Sequence, residues 1–188
     1  MLTERFDDAL VYASRIHREQ TRKGSGVPYL AHLLGVASLA LKAGATEDQA
    51  IAALLHDAVE DQGGPARLAD IRERYGDDVA KIVGDCADAD VEPKPPWRPR
   101  KEAYIASLAN KPETSLLVSL ADKTHNIGTI LADLASSGPS VWDRFTGKKD
   151  GTLWYYAALA ESFQTNLPGH SSERFAAMVA EMHARAER

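Results

Sequence analysis

The chain has one cysteine, Cys86, so it can form no internal disulfide and cannot build a cysteine-based zinc site. That usage fits a reducing compartment. It also lacks a long hydrophobic run. The longest apolar stretch, near Leu33 to Leu41, is far too short to span a bilayer. The opening residues, Met1-Leu2-Thr3-Glu4-Arg5-Phe6-Asp7-Asp8, are acidic and contain no apolar signal core, which leads us to expect a cytoplasmic protein. Charge of one sign is not in large excess either. Twenty-two basic residues against 27 acidic ones leave a net charge of -5. Neither nucleic acid nor an anionic membrane is therefore an expected partner, and any anionic ligand must be met by a local basic patch. Alternating strand patterns, internal repeats and low-complexity segments are absent.

What remains is helical periodicity. Phe6, Leu10, Ala13 and Ile16 follow helical spacing from a start at Thr3. A basic, glycine-rich loop, Arg22-Lys23-Gly24-Ser25-Gly26-Val27-Pro28, follows. A second helix is predicted from about Ala31 to Ala43, stopped by Gly44. Thr46-Glu47-Asp48-Gln49 is a capping box that opens a third, apolar helix. Gly63-Gly64-Pro65 breaks the chain, and shorter helices are predicted over Leu68 to Tyr75 and Val79 to Cys86. Asp90 to Pro99, with four prolines, cannot be regular helix. Helix returns over Arg100 to Asn110 and Leu116 to Leu134, a loop spans Gly138 to Gly151, and helices over Leu153 to Leu167 and Phe175 to Arg188 close the chain. The apolar face of the last one (Phe175, Met178, Val179, Met182) is core or a homodimer contact. The expectation is an all-α helical bundle of one domain over residues 1–188. Its motif-bearing core covers about 3–135 and its C-terminal helices about 152–188.

The chemistry concentrates in Leu55-His56-Asp57-Ala58-Val59-Glu60-Asp61. Residues three and four apart share a helix face, which would crowd Asp57, Glu60 and Asp61 beside His56. Crowded carboxylates repel unless a cation or a proton neutralises them. Histidine plus carboxylate is a ligand set for a divalent metal. A solvated acidic helix end is the alternative, but the apolar run Ala50-Ile51-Ala52-Ala53-Leu54-Leu55 argues for burial. Asp122, flanked by Leu117, Leu120 and Ala121, likewise needs a partner.

The blocks Ala13-Ser14-Arg15-Ile16-His17-Arg18-Glu19-Gln20-Thr21-Arg22-Lys23-Gly24 and Pro28-Tyr29-Leu30-Ala31-His32 are similar to the opening of the hydrolase domain of RelA/SpoT-type enzymes. His56-Asp57-Ala58-Val59-Glu60-Asp61 matches their HDxxED signature. Leu120-Ala121-Asp122-Lys123-Thr124-His125-Asn126 resembles their LADxxHN motif. In order and spacing, the chain resembles the HD superfamily of metal-dependent phosphohydrolases, and within it the stand-alone small alarmone hydrolases. That resemblance implies an HD-domain bundle and removal of the 3′-pyrophosphate of guanosine tetra- or pentaphosphate (ppGpp, pppGpp), leaving GDP or GTP. Another phosphorylated nucleotide as substrate, or a non-catalytic nucleotide-binding module, are the alternatives.

Carried over residue by residue, the resemblance makes His32, His56, Asp57 and Asp122 ligands of manganese, a set that would also accept Fe²⁺ or Zn²⁺. It gives Glu60 and Asp61 the acid/base role on the attacking water. It places Arg22, Lys23 and Asn126 against the nucleotide, and Thr129, on the same side of the helix as Asn126, is a further candidate contact. Lys101, with Lys94, Arg98 and Arg100 beside Trp97, forms a second basic group. Lys149 stands where these hydrolases carry an arginine before their Tyr-Phe pair, and His125 is read as structural.

Overall fold

A computed structural model describes residues 1–88 and 95–187. Part of the proline-rich segment, and Lys94 with it, lies outside the described residues.

Thr3 caps α1 (Glu4–Ile16) by accepting from the Arg5 amide. A turn held by Arg22 N–H to Val27 O (2.8 Å) and Tyr29 N–H to Gln20 O (2.9 Å) leads into α2 (Leu30–Lys42). The capping box opens α3 (Glu47–Leu55): Thr46 Oγ1 accepts from Gln49 N–H and Gln49 Oε1 accepts from Thr46 N–H. A one-turn α4 (Ala58–Asp61) and the pair α5 (Gly64–Tyr75) and α6 (Asp77–Cys86) follow. Then come α7 (Trp97–Leu108), α8 (Glu113–Ser137), a 3₁₀ segment (Gly138–Arg144), α9 (Lys148–Asn166) and α10 (His170–Ala186). No strand occurs among the described residues, and no described helix is long and apolar enough to cross a membrane.

Two apolar cores meet on α8. The first gathers α1, α2, α3, α5 and α6 around Leu33, Ile51, Leu54, Leu55 and Ile71, and reaches α8 at Val118 and Ala121. The second packs α7, the 3₁₀ segment, α9 and α10 on the other side of α8, at Leu116, Leu120, Ile127 and Leu131. With 25 residues, α8 is about 37 Å long, enough to serve both cores and carry site residues between them. α3 is buried from Gln49 to Leu55, as its unbroken apolar run requires. Because the capping box anchors this central helix, Thr46→Ala should cost about 1 kcal/mol. At this chain length that lowers the melting temperature by about 2–4 °C in a calorimetric scan.

Three expectations are corrected. The acidic helix does not run through: α3 stops at Leu55, and His56 and Asp57 occupy a turn. His56 Nδ1 donates to Ala53 O at 2.9 Å, the carbonyl that an uninterrupted helix would give to the Asp57 amide. Helix α7 begins three residues earlier than the prolines suggested. Pro99 lies in its first turn, where backbone N–H groups have no intrahelical partner to lose. The Gly138–Gly151 loop is largely helical, because Val141 and Trp142 are buried in the second core and pin the 3₁₀ segment. The apolar face of α10 is core: Phe175, Val179 and Met182 are buried.

Candidate metal centre and adjoining pocket

The turn after α3 gives His56 and Asp57 a common target that adjacent residues of a regular helix, 100° apart, would not share. His56 Nε2 lies 3.0 Å from Asp57 Oδ2. From α2, His32 Nε2 arrives 3.2 Å from His56 Nε2 and 3.4 Å from Asp57 Oδ2. From α8, Asp122 Oδ1 lies 3.3 Å from His32 Nε2 and 3.5 Å from His56 Nε2. His32, His56 and Asp57 offer donor atoms within 4.8 Å of one another, and Asp122 Oδ1 joins them at the two histidines. Neighbouring donors around a metal bound at about 2.0–2.2 Å are about 3.0–3.6 Å apart, so the spacings fit a single ion.

The chemistry of the donors points the same way. With Nδ1–H committed to Ala53 O, a neutral His56 turns the lone pair of Nε2 towards two carboxylates, an arrangement that calls for positive charge at the centre. Burial by itself would lower the His56 pKa, but the Asp57 and Asp122 carboxylates outweigh it and hold it well above the usual imidazole range. Burial likewise opposes ionisation of Asp57, and His56 and His32 overcome it, keeping that carboxyl well below its usual range. The same holds for Asp122, through Lys123 and the two histidines.

Each ligand candidate is held from behind. Tyr29 Oη donates to Asp57 Oδ2 at 2.5 Å. Burial and the adjacent carboxylate raise the phenol's pKa, so it stays a donor. Lys123 Nζ and Asn126 Nδ2 donate to Asp122, both at 2.6 Å. His125 Nδ1 faces His32 Nδ1 at 3.0 Å, and burial, with His32 and Arg22 nearby, pushes the His125 pKa down to about 4.

The two acids of α4 diverge. Glu60 lines a cavity of about 450 Å³ that opens beside the centre. Asp61 turns towards the segment after α1, where its Oδ2 accepts from Gln20 Nε2 at 2.7 Å. Gln20 is itself fixed, because its Oε1 accepts from Gln62 Nε2 and from His17 Nδ1, both at 2.6 Å. His17 stacks on Tyr29 at 5.4 Å, which ties this network to the Asp57 side of the centre.

The cavity is rich in cations. Arg22, Lys23, Arg100, Lys101, Lys123 and Arg144 line it, against Glu60 and Asp133. Asn126 and Thr129 line it too. Arg22 donates to Asn126 Oδ1 at 2.7 Å, continuing to Asp122, and Thr129 caps the His125 carbonyl. Lys101 and Arg100 both pair with Asp88. Lys149 is not brought here: its ammonium donates to the Ala186 carbonyl at the end of α10. Gly147 and Gly151 instead carry the Trp97 indole: a Cβ at Gly147 would stand 2.6 Å from the ring, and one at Gly151 would meet it tightly, at 3.1 Å. Sequence reasoning passed over Lys123, Gln20 and Gly35. For Lys123 the signal was present, as a lysine next to an aspartate inside an apolar run.

A family model described as HD domain matches residues 9–153. The human MESH1 guanosine-3′,5′-bis(diphosphate) 3′-pyrophosphohydrolase is 36% identical over 138 residues, 72% of each chain. The bifunctional (p)ppGpp synthase/hydrolase SpoT of Escherichia coli is 32% identical over 133 residues, which are 68% of this chain and 18% of SpoT. Among solved structures, a metazoan SpoT ortholog described as hydrolysing ppGpp superposes with a TM-score of 0.78 at 26% identity, covering 98% of both chains. The lmo0812 protein of Listeria monocytogenes superposes at 0.71 with 28% identity, over 84% of this chain and 99% of that one. On the family match and on the identity and length shared with these relatives, the chain belongs to the HD-domain family, in the group that holds the MESH1 and SpoT pyrophosphohydrolases.

Proposed function

We propose that this protein hydrolyses the 3′-pyrophosphate of ppGpp and pppGpp, giving GDP or GTP and pyrophosphate, with a divalent metal held by His32, His56, Asp57 and Asp122. The observation that carries the reading is a His/Asp donor cluster whose hydrogen-bond partners Tyr29, Lys123 and Asn126 line a cation-rich cavity, in a chain of negative net charge. The names of the relatives supply the guanosine and the position of the pyrophosphate. Two imidazoles with two carboxylates suit Mn²⁺, our first choice, and admit Fe²⁺ or Zn²⁺.

When bound, such a metal acidifies a water molecule towards neutral pH and polarises a phosphoryl oxygen. The chain's own groups do the rest. Glu60, on the cavity wall, accepts the proton of the attacking water. Asp61, oriented by Gln20, supports that corner of the site. The water oxygen bonds to the phosphorus next to the ribose 3′-oxygen, the P–O3′ bond breaks, and the ribose oxygen gains a proton. Arg22, Lys23 and Asn126 face one side of the substrate. Lys101, Arg100 and Lys123 offer a second cationic patch for the 5′-phosphates, and Trp97, Tyr155 and Tyr156 provide aromatic wall for the base.

The test is product analysis by ion-exchange chromatography, using purified protein, ppGpp and each of Mn²⁺, Fe²⁺ and Zn²⁺. GDP and pyrophosphate should form with metal present and cease when a chelator is added, with Mn²⁺ the most effective. Metal-loaded protein that leaves ppGpp intact would overturn the guanosine assignment and direct the search to other phosphorylated nucleotides.

A further inference from the structure

The imidazole of His125 and the bare backbone of Gly35 form a device that the proposed reaction does not use directly. His32 presents Nε2 to His56, Asp57 and Asp122, so as a ligand it must keep a lone pair there and carry its proton on Nδ1. That Nδ1–H needs an acceptor, and the atom 3.0 Å away is Nδ1 of His125. The rings meet edge-on, with centroids 4.8 Å apart and planes at 65°, which suits an N–H of one aimed at the in-plane lone pair of the other. To accept there, His125 must be the neutral tautomer with its proton on Nε2.

The ring keeps this position only because residue 35 has no side chain. Gly35 lies one turn after His32 on the same face of α2. A Cβ placed on it would stand 2.2 Å from both Cδ2 and Nε2 of His125, well inside van der Waals contact. Glycine is a poor residue for a helix interior and no turn or positive φ requires it here. Its presence in the middle of α2 is explained by the ring it admits.

We infer that His125 is a positioning residue for the metal centre: seated over Gly35, it accepts the Nδ1 proton of His32 and thereby fixes the tautomer and orientation in which His32 binds metal. This inference rests on reading the four donors as metal ligands.

Three variants separate the role from mere packing. His125→Leu removes the acceptor. His125→Asn restores it, because Asn Oδ1 takes the place of Nδ1. Gly35→Ala alters no polar group but evicts the ring, and alanine favours the helix, so helical content is not expected to fall. Titration calorimetry of metal-stripped protein with MnCl₂ should show affinity reduced about 10- to 100-fold in His125→Leu and in Gly35→Ala, with His125→Asn near wild type. Ring ¹⁵N spectra of the zinc-loaded wild type should show His32 protonated on Nδ1 and His125 on Nε2. A folded His125→Leu that binds Mn²⁺ like the wild type, or a His125 ring protonated on Nδ1, overturns the inference while leaving the metal centre standing. A wild type that binds no metal overturns the ligand reading and this inference with it.

Discussion

Asp57→Ala should lower turnover of ppGpp by about 10³-fold or more, because a metal's transition-state stabilisation of several kcal/mol is at stake and each 1.36 kcal/mol is tenfold. Three facts single out this residue. Its Oδ2 is the donor nearest His56 Nε2, at 3.0 Å. Its carboxylate is one of only two anionic donors in the centre, so removing it leaves a divalent ion with one compensating charge among two neutral imidazoles. It also receives the half-buried Tyr29 hydroxyl, which would lose its acceptor. Metal titration read beside steady-state kinetics checks the result: affinity and turnover should fall together. Retained turnover with lost affinity would show that the metal is not in the reaction. Tyr29→Phe, which keeps the carboxylate and loses only its orienting bond, should fall in the milder range of about 10- to 100-fold.

How much of this was legible beforehand depends on what kind of fact each residue records. The helices were readable because apolar periodicity and caps are local. Thr3, Gly44 and the Thr46–Gln49 box mark ends that the structure keeps within a residue or two. His32, His56, Asp57 and Asp122 stood out as a set because their spacing matches a motif, and the structure brings their donor atoms together. The break at His56 was not readable, since it depends on a side chain taking a carbonyl from the backbone, and nothing in the local propensities announces that competition. Lys149 shows the limit for long side chains. Its position in the chain is close to the cavity residue Thr152, yet its phase on α9 and a free carbonyl at the end of α10 send the ammonium elsewhere. Lys101 was readable only as part of a basic group. That it pairs with Asp88 at the cavity edge needs the tertiary structure. Gly35 was invisible for a different reason: a glycine's purpose lies in what it leaves room for, and the His125 ring comes from 90 residues further on.

Glu60→Gln should lower kcat by about 10²- to 10⁴-fold, the usual worth of a positioned general base, while leaving metal affinity unchanged. The two acids of α4 are consecutive residues of one helical turn, about 100° apart around its axis, and so meet different surroundings. Glu60 faces the cavity beside Arg22, Lys23 and Tyr29. Asp61 is engaged by Gln20, which His17 and Gln62 hold in turn. A base must reach the water that attacks phosphorus, and we assign that role to Glu60 because it lines the cavity proposed to take the substrate. The glutamine keeps the shape of the side chain and removes its basicity, so the loss should fall on kcat and not on KM. Asp61→Asn keeps an oxygen for Gln20 to donate to and should cost only about 10- to 100-fold. If Asp61→Asn proves the more damaging to kcat, the roles are exchanged: the base is then the acid held by Gln20, and the His17–Gln20–Asp61 network is its proton path.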